Sequence, residues 1–105
     1  MEYQLHRIPS REFFPGFSGK MVHGSQMSLA FWEVEAGAEV PQHQHPHEQI
    51  MHVQEGRFSF TLEGKTREYG PGDIVLIPSG AVHSGKALTA CRIMDIFSPV
   101  REEYR

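Results

Sequence analysis

Glycine and proline recur at short intervals along this chain, and their spacing constrains the fold more than any other feature. Turn signals such as Gly37, Gly56, Gly64 and Pro78 separate short runs that are apolar or alternate between apolar and polar residues. No run longer than about ten residues combines helical periodicity with freedom from glycine and proline. The sequence therefore predicts an all-β sandwich or barrel, and a chain of 105 residues suits a single domain, 1–105.

The predicted strands are the runs between these turns. They cover 27–35, 49–54, 57–62, 65–69, 74–77 and 88–97. The run at 74–77 is apolar at every position, which predicts a strand buried on both faces. Residues 3–8 are predicted to form an edge strand or a segment that swaps onto a partner.

Composition and charge exclude several classes of function. Cys91 is the sole cysteine, so no intrachain disulfide can form, which suits a reducing compartment. The net charge is -3 and no basic run is present, so nothing favours nucleic acid or an anionic membrane as a partner. The N-terminus lacks the pattern of a signal peptide, and no apolar run approaches the roughly 20 residues of a membrane span. A cytoplasmic location is expected.

Histidines cluster in the segment 37–56, where four of the seven in the chain fall within 43–52. His43 and His45 are two residues apart, so on an extended strand both imidazoles point to the same face. Gln49 follows after a bend at Pro46, and its amide oxygen is a further candidate ligand. Histidine is the most common metal ligand in proteins, so this spacing predicts a metal site.

A second motif, at 72–83, ends on another histidine. A strand leads into Pro78 and Gly80, and the turn then presents His83. Three imidazoles and one oxygen leave coordination positions open, as in catalytic metal sites. The sequence thus predicts one divalent metal ion, without distinguishing Zn, Ni, Fe and Mn, held by four residues: His43, His45, Gln49 and His83.

The remaining histidines are predicted to lie outside the ligand set. His47 follows a proline, so strand alternation does not predict its direction, and His52 has the opposite parity to Gln49. Both are expected to pack or to line the rim of a pocket. His6 and His23 are interpreted as structural.

The C-terminal run offers candidate catalytic residues. Asp95 and Phe97 share one strand parity, and if that parity faces the interior, a carboxylate lies near the metal and can act as a general acid or base. The alternative is a surface aspartate. Pro99 ends the strand, and Arg101 can then fold back over the barrel mouth to bind a carboxylate. The residues alone favour a solvated tail in which Arg101 pairs with nearby glutamates.

The two motifs resemble those of the cupin superfamily, G-x5-HxH-x3,4-E-x6-G and G-x5-PxG-x2-H-x3-N. The matching residues are Gly37, His43, His45, Gln49 and Gly56 in the first motif, and Gly72, Pro78, Gly80 and His83 in the second. Gln49 stands where the motif has glutamate, and Ala87 where it has asparagine. The resemblance implies a single-domain cupin jelly-roll β-barrel.

A closer resemblance, to the small KdgF-type pectin-degradation cupins, covers nearly the whole chain. It rests on HPHEQ at 45–49, VQEG at 53–56 and DIFSPVREEY at 95–104. In that family three histidines and a glutamine hold the metal, which here implies the same four residues. The resemblance also implies that Asp95, Phe97 and Arg101 line a substrate pocket. The implied reaction converts unsaturated uronates from pectin or alginate breakdown to linear keto forms.

Three functions therefore stay open. The first is a KdgF-like isomerase in which the metal polarises an oxygen, Asp95 moves a proton and Arg101 holds the substrate carboxylate. The second is a non-haem iron dioxygenase, and the third is a non-catalytic, metal-dependent module that binds or senses a sugar acid. Family analogy also predicts a homodimer, in which residues 3–8 with Phe13, Phe14 and Phe17 cover a partner's sheet edge.

Overall fold

The structure, a computed structural model, describes all residues from 1 to 105 and consists almost entirely of strands. The strands are β1 Arg11–Phe14, β2 Phe17–His23, β3 Ser28–Val34, β4 Glu39–His43, β5 Glu48–Glu55, β6 Phe58–Leu62, β7 Lys65–Tyr69, β8 Ile74–Ile77, β9 His83–Ala87 and β10 Cys91–Ser98. Two 3-10 turns, Leu5–Arg7 and Glu102–Tyr104, complete the chain, and no helix is long and apolar enough to cross a membrane. The prediction of an all-β fold is confirmed.

Two antiparallel sheets form the jelly-roll barrel. The larger has the strand order β1-β2-β3-β10-β5-β8, and the smaller has the order β4-β9-β6-β7. Strands β3, β5 and β10 alternate buried and outward side chains, as the period-2 pattern requires. Their inward residues contribute to a core of 15 buried residues between the sheets. The interior of this barrel is where the candidate ligands meet.

Glycine inside strands explains why the sequence patterns missed β2 and β9. A Cβ atom added at Gly19 would lie 2.8 Å from the Trp32 ring, and one added at Gly85 would lie 2.5 Å from the Phe58 ring. Both glycines therefore let an aromatic side chain pack directly on the backbone. The sequence patterns treated each of these glycines as a turn. They also missed strands β1 and β4. Strand β4 contains a proline, Pro41, which the patterns also treated as a turn.

The prediction that 74–77 is buried on both faces is wrong. Ile74 and Leu76 are 66% and 56% exposed, while Val75 and Ile77 point into the core. Strand β8 lies at the edge of the larger sheet, and nothing in the chain covers the outer face there. An unbroken apolar run therefore does not distinguish a doubly buried strand from an edge strand with an apolar outer face.

The prediction of an edge strand at 3–8 is also wrong, while the alternative, that this segment swaps onto a partner, stays a prediction. This segment contains the 3-10 turn Leu5–Arg7, and it contacts the sheet through a hydrogen bond from Lys20 Nζ to the Leu5 carbonyl at 3.0 Å. The homodimer stays a prediction. Phe14 and Phe17, two residues expected to cover a partner, instead pack against Trp32 within this chain, with ring centroids 5.7 and 6.0 Å away.

Two glycines with the same backbone angle offer a matched test of packing at the β5–β6 turn. Gly56 and Gly72 both have φ of +89°, but a Cβ atom at Gly56 would lie 2.2 Å from the Ala90 carbonyl oxygen, whereas Gly72 has open space. We expect Gly72→Ala to lower the free energy of unfolding by about 1–2 kcal/mol through backbone strain alone. Gly56→Ala should lower it by about 1–3 kcal/mol more, because the backbone contact must be relieved. Urea denaturation measures both, and equal losses would contradict a tight contact at Gly56.

Candidate metal centre

Pairing of β4 with β9 brings two candidate ligands together across 40 residues of sequence. His43 and His83 are register partners in the smaller sheet, and their ring centroids lie 4.2 Å apart. His45 lies beyond the end of β4, in the loop before β5, so it reaches the site from a loop and not from the extended strand that the spacing predicted. One nitrogen from each of the three rings lies within 4.8 Å of the others. This cluster can hold a metal ion.

The backbone orients all three rings. His43 and His83 each donate from Nδ1 to the carbonyl oxygen two residues earlier, both at 2.8 Å, and His45 donates from Nδ1 to the His47 carbonyl at 3.0 Å. A carbonyl only accepts, so Nδ1 carries the proton in each ring. In the neutral imidazole Nε2 then keeps its lone pair, which is the state that binds a metal. Backbone carbonyls in β4 and in two loops therefore select the same tautomer three times.

Burial also keeps two of these rings neutral. It lowers the pKa of His83 to about 4, with smaller contributions from the charges of His43 and His45. Burial, followed by the charge of Arg101, lowers the pKa of His45 as well. Metal binding needs deprotonated imidazoles, so at neutral pH these two ligands require no proton loss.

Gln49 reaches the same site from the larger sheet. Its side chain is buried on β5, and its Oε1 lies 3.1 Å from His45 Nε2. Two ligands at right angles, each about 2.1 Å from a metal, are about 3.0 Å apart, so this separation suits neighbouring positions in one coordination shell. Three imidazole nitrogens and one amide oxygen fit a divalent first-row metal. His43, His45, Gln49 and His83 are thus the residues that would hold it.

Asp95 lies in the interior beside this cluster. It is 8% exposed, and Trp32 donates from Nε1 to its Oδ2 at 3.0 Å, while its Oδ1 is buried without a hydrogen-bond partner. Burial raises the pKa of Asp95 to about 6, and the Gln49 amide, the Trp32 indole and the charge of Arg101 limit the increase. A carboxyl group in this state can both give and accept a proton near neutral pH.

Arg101 is 7% exposed, so it does not lie in the solvated tail that the residues alone favoured. Its guanidinium stands over the rings of Phe97 and Tyr104, 4.6 and 4.4 Å from their centroids. Its Nε is 2.5 Å from Glu103 Oε1, so the ion pair expected of a tail is present as well. Stacking holds the planar group at the mouth of the barrel.

A cavity of about 60 Å3 joins these groups. Its polar lining consists of His43, Gln49, His83, Asp95 and Arg101, and its walls are mainly aromatic. All three residues that the resemblance placed in the pocket, Asp95, Phe97 and Arg101, line this cavity. The structure therefore brings the predicted metal ligands and the predicted pocket residues to one place.

The sequence patterns missed the apolar and aromatic wall of the cavity, and two of these residues contact the predicted pocket residues directly. Trp32 contacts Asp95 from 63 positions away, and Tyr104 returns from the end of the chain. The alternation in β3 places Trp32 inward, but no spacing rule pairs it with Asp95. Of the remaining histidines, His47 is buried, while His52 points away from the cavity on the outer side of β5. His23 forms hydrogen bonds with the Ser28 hydroxyl and the Tyr104 carbonyl.

Comparisons with known proteins agree with this architecture. The cupin domain model, Cupin_2, matches residues 30–97. The structure of KdgF from Halomonas sp. has a TM-score of 0.90 and 31% identity, covering 95% of this chain and 94% of that one. An RmlC-like cupin from Shewanella frigidimarina NCIMB 400 has a TM-score of 0.92 and 25% identity, covering 95% and 91%.

A curated relative matches over a shorter stretch. Dimethylsulfoniopropionate lyase DddQ from Ruegeria pomeroyi is 46% identical over 50 residues, which are 47% of this chain, and the match spans 25% of that protein's length. The family model, in contrast, runs from β3 into β10 and contains the four candidate metal ligands and Asp95. The chain therefore belongs to the cupin family, as its two histidine motifs predicted.

Proposed function

We propose that this protein is a metal-dependent enzyme that converts an unsaturated uronate, or a closely related sugar acid, to its linear keto form. The observation that carries the proposal is that one cavity is lined by His43, Gln49, His83, the buried Asp95 and the buried Arg101. The fourth donor, His45, offers a ring nitrogen within 4.8 Å of those of His43 and His83. The similarity to KdgF from Halomonas sp. over nearly the full length supports the same class of substrate.

The proposed reaction is an isomerisation, so no atoms are gained or lost. Opening the sugar ring breaks the bond between the anomeric carbon and the ring oxygen. The anomeric hydroxyl loses its proton and becomes an aldehyde, and the ring oxygen gains a proton and becomes an enol hydroxyl. The enol becomes a ketone when its oxygen loses a proton and the neighbouring carbon gains one. The enzyme must therefore move protons between oxygen and carbon while holding a charged substrate.

Asp95 suits the proton transfer. Its Oδ2 accepts the Trp32 indole N–H, which fixes the carboxyl group, while Oδ1 has no protein partner and is available to the substrate. With a pKa raised by burial to about 6, the group exchanges a proton at little cost near neutral pH. The indole N–H can only donate, so the fixed oxygen is the acceptor and the free oxygen carries the proton.

Arg101 suits the substrate carboxylate, because a guanidinium binds a carboxylate through two parallel hydrogen bonds. Its packing between Phe97 and Tyr104 restricts its orientation, and burial strengthens its interaction with an anion. Phe97 is 2% exposed and offers an apolar wall beside the metal donors. A divalent metal held by the three histidines and Gln49 would supply Lewis-acid polarisation of a substrate oxygen.

Metal content gives the first test. We expect purified protein to contain about one divalent ion per chain, measured by elemental analysis. His83→Ala removes one of the three imidazoles, so the affinity for the ion should fall by more than about 100-fold. His52→Ala, which removes an imidazole outside the cavity, should retain the ion. Equal metal content in the two variants would contradict the proposed ligand set.

Turnover gives the second test. Unsaturated uronates absorb ultraviolet light through their conjugated double bond, so loss of absorbance reports the reaction directly. Asp95→Asn should reduce the rate by about 100-fold to 10,000-fold, because general acid–base catalysis is lost, while metal content stays unchanged. Glu55→Gln, which removes an exposed carboxylate on β5, should behave as wild type. An active Asp95→Asn variant contradicts this mechanism.

The oxygen requirement separates the proposal from an iron dioxygenase. Isomerisation consumes no oxygen, so protein loaded with Ni, Zn or Mn should act on the uronate under anaerobic conditions at the aerobic rate. A strict requirement for Fe(II) with oxygen uptake, measured with an oxygen electrode, would instead favour a dioxygenase. Tight binding of the uronate by calorimetry without any chemical change would favour a non-catalytic module.

A further inference from the structure

The last six residues, 100–105, here called the C-terminal segment, close the cavity. Arg101 and Tyr104 are part of its lining, and the Tyr104 ring packs edge-on against Trp32 with centroids 5.6 Å apart. The cavity is partly open to solvent, and the C-terminal segment forms one part of its wall. All the other lining residues lie on strands, so the C-terminal segment is the part of the wall that no sheet holds in place.

No backbone hydrogen bond joins the C-terminal segment to a strand. Its own backbone bonds are local, from the Tyr104 N–H to the Arg101 carbonyl at 3.0 Å and from the Arg105 N–H to the Glu102 carbonyl at 3.1 Å. Polar attachment to the barrel therefore depends on side chains that reach its backbone. Three side chains do so, and two of them are histidines that the metal centre does not use.

The first attachment is His47. Its Nε2 donates to the Val100 carbonyl at 3.1 Å, while its backbone carbonyl accepts the Nδ1 proton of the candidate ligand His45. One residue thus joins a metal ligand to the start of the C-terminal segment. The His47 ring is 8% exposed, and its Nδ1 has no partner, so the contact with Val100 is the ring's only hydrogen bond.

The second attachment is a chain of contacts from His23. The Tyr104 carbonyl, 3.2 Å from His23 Nε2, can only accept, so Nε2 carries the proton. In the neutral ring Nδ1 then accepts the Ser28 hydroxyl at 2.7 Å, and Ser28 Oγ accepts the Arg101 backbone N–H at 2.9 Å. Every donor in this series of hydrogen bonds has an acceptor. A single arrangement therefore holds both Arg101 and Tyr104.

We infer that His23 and His47 are positioning residues that hold the C-terminal segment over the cavity and thereby set the Arg101 guanidinium in its binding orientation. The inference rests on the proposed function only in the role it gives Arg101. Neither ring hydrogen-bonds to a metal donor or to Asp95, but the His47 ring packs edge-on against His45 with centroids 5.4 Å apart, so metal content is measured in both variants. Loss of either imidazole destabilises the closed position of the segment, so substrate binding should weaken more than the rate of the chemical step falls.

The test uses Trp32, the sole tryptophan of the chain, as a probe of closure. Because Trp32 packs against Tyr104, opening of the C-terminal segment should expose the indole to acrylamide. We expect His23→Ala and His47→Ala to raise the quenching constant of the full-length, metal-loaded protein severalfold. His23→Gln and His47→Gln keep an N–H donor and should resemble wild type, as should His52→Ala on the outer face of β5.

Kinetics on the unsaturated uronate provide the readout that a merely structural role would not move. Loss of one neutral hydrogen bond should raise KM by about fivefold to tenfold while kcat changes less than about twofold, with metal content unchanged. An unchanged quenching constant in both alanine variants would overturn the inference. Glutamine variants with the same quenching constant as the alanine variants would also overturn it. A fall in kcat at constant KM would also overturn it. Increased quenching in a protein that never turns over the uronate would support the closure and refute only the proposed function.

Discussion

The pairing of β4 with β9 is the constraint on which the candidate site depends. It sets His43 opposite His83, and the carbonyl oxygens of Pro41 in β4 and Ala81 in the loop before β9 accept their Nδ1 protons. A strand shift of one residue would turn one of the two rings to the opposite face of the sheet. Gln49 then reaches the cluster from the facing sheet, so the donor set spans the barrel interior and needs both sheets in register.

The barrel gives this cluster an environment that a surface site would lack. Aromatic walls exclude water, which keeps His45 and His83 neutral and raises the pKa of Asp95. Arg101 is the one cation that the interior admits, and stacking on Phe97 and Tyr104 compensates in part for its desolvation. The result is a small space in which the candidate metal donors, the buried Asp95 carboxyl group and the Arg101 guanidinium lie side by side.

Closure of that space depends on weaker interactions than those that build the barrel. The strands are joined by backbone ladders, but the C-terminal segment is attached through side chains and aromatic packing. Segments held in this way open at lower free energy than sheet cores. This difference makes the C-terminal segment the part of the cavity wall that opens at the lowest free energy. The sequence interprets His23 as structural and His47 as a packing or pocket-rim residue, and both acquire a more specific proposed role only in this context.

The sequence by itself determined the all-β fold, the shared parity of Asp95 with Phe97, and which residues are candidate metal ligands, because glycine spacing, strand alternation and the HxH motif are local properties of the chain. It did not determine that His45 lies beyond a strand, that β8 is an edge strand, or that Trp32 bonds Asp95 from 63 positions away. Those features depend on which strands pair and which side chains share the interior. Only the tertiary structure decided them, since a contact between distant residues leaves no periodicity in the sequence.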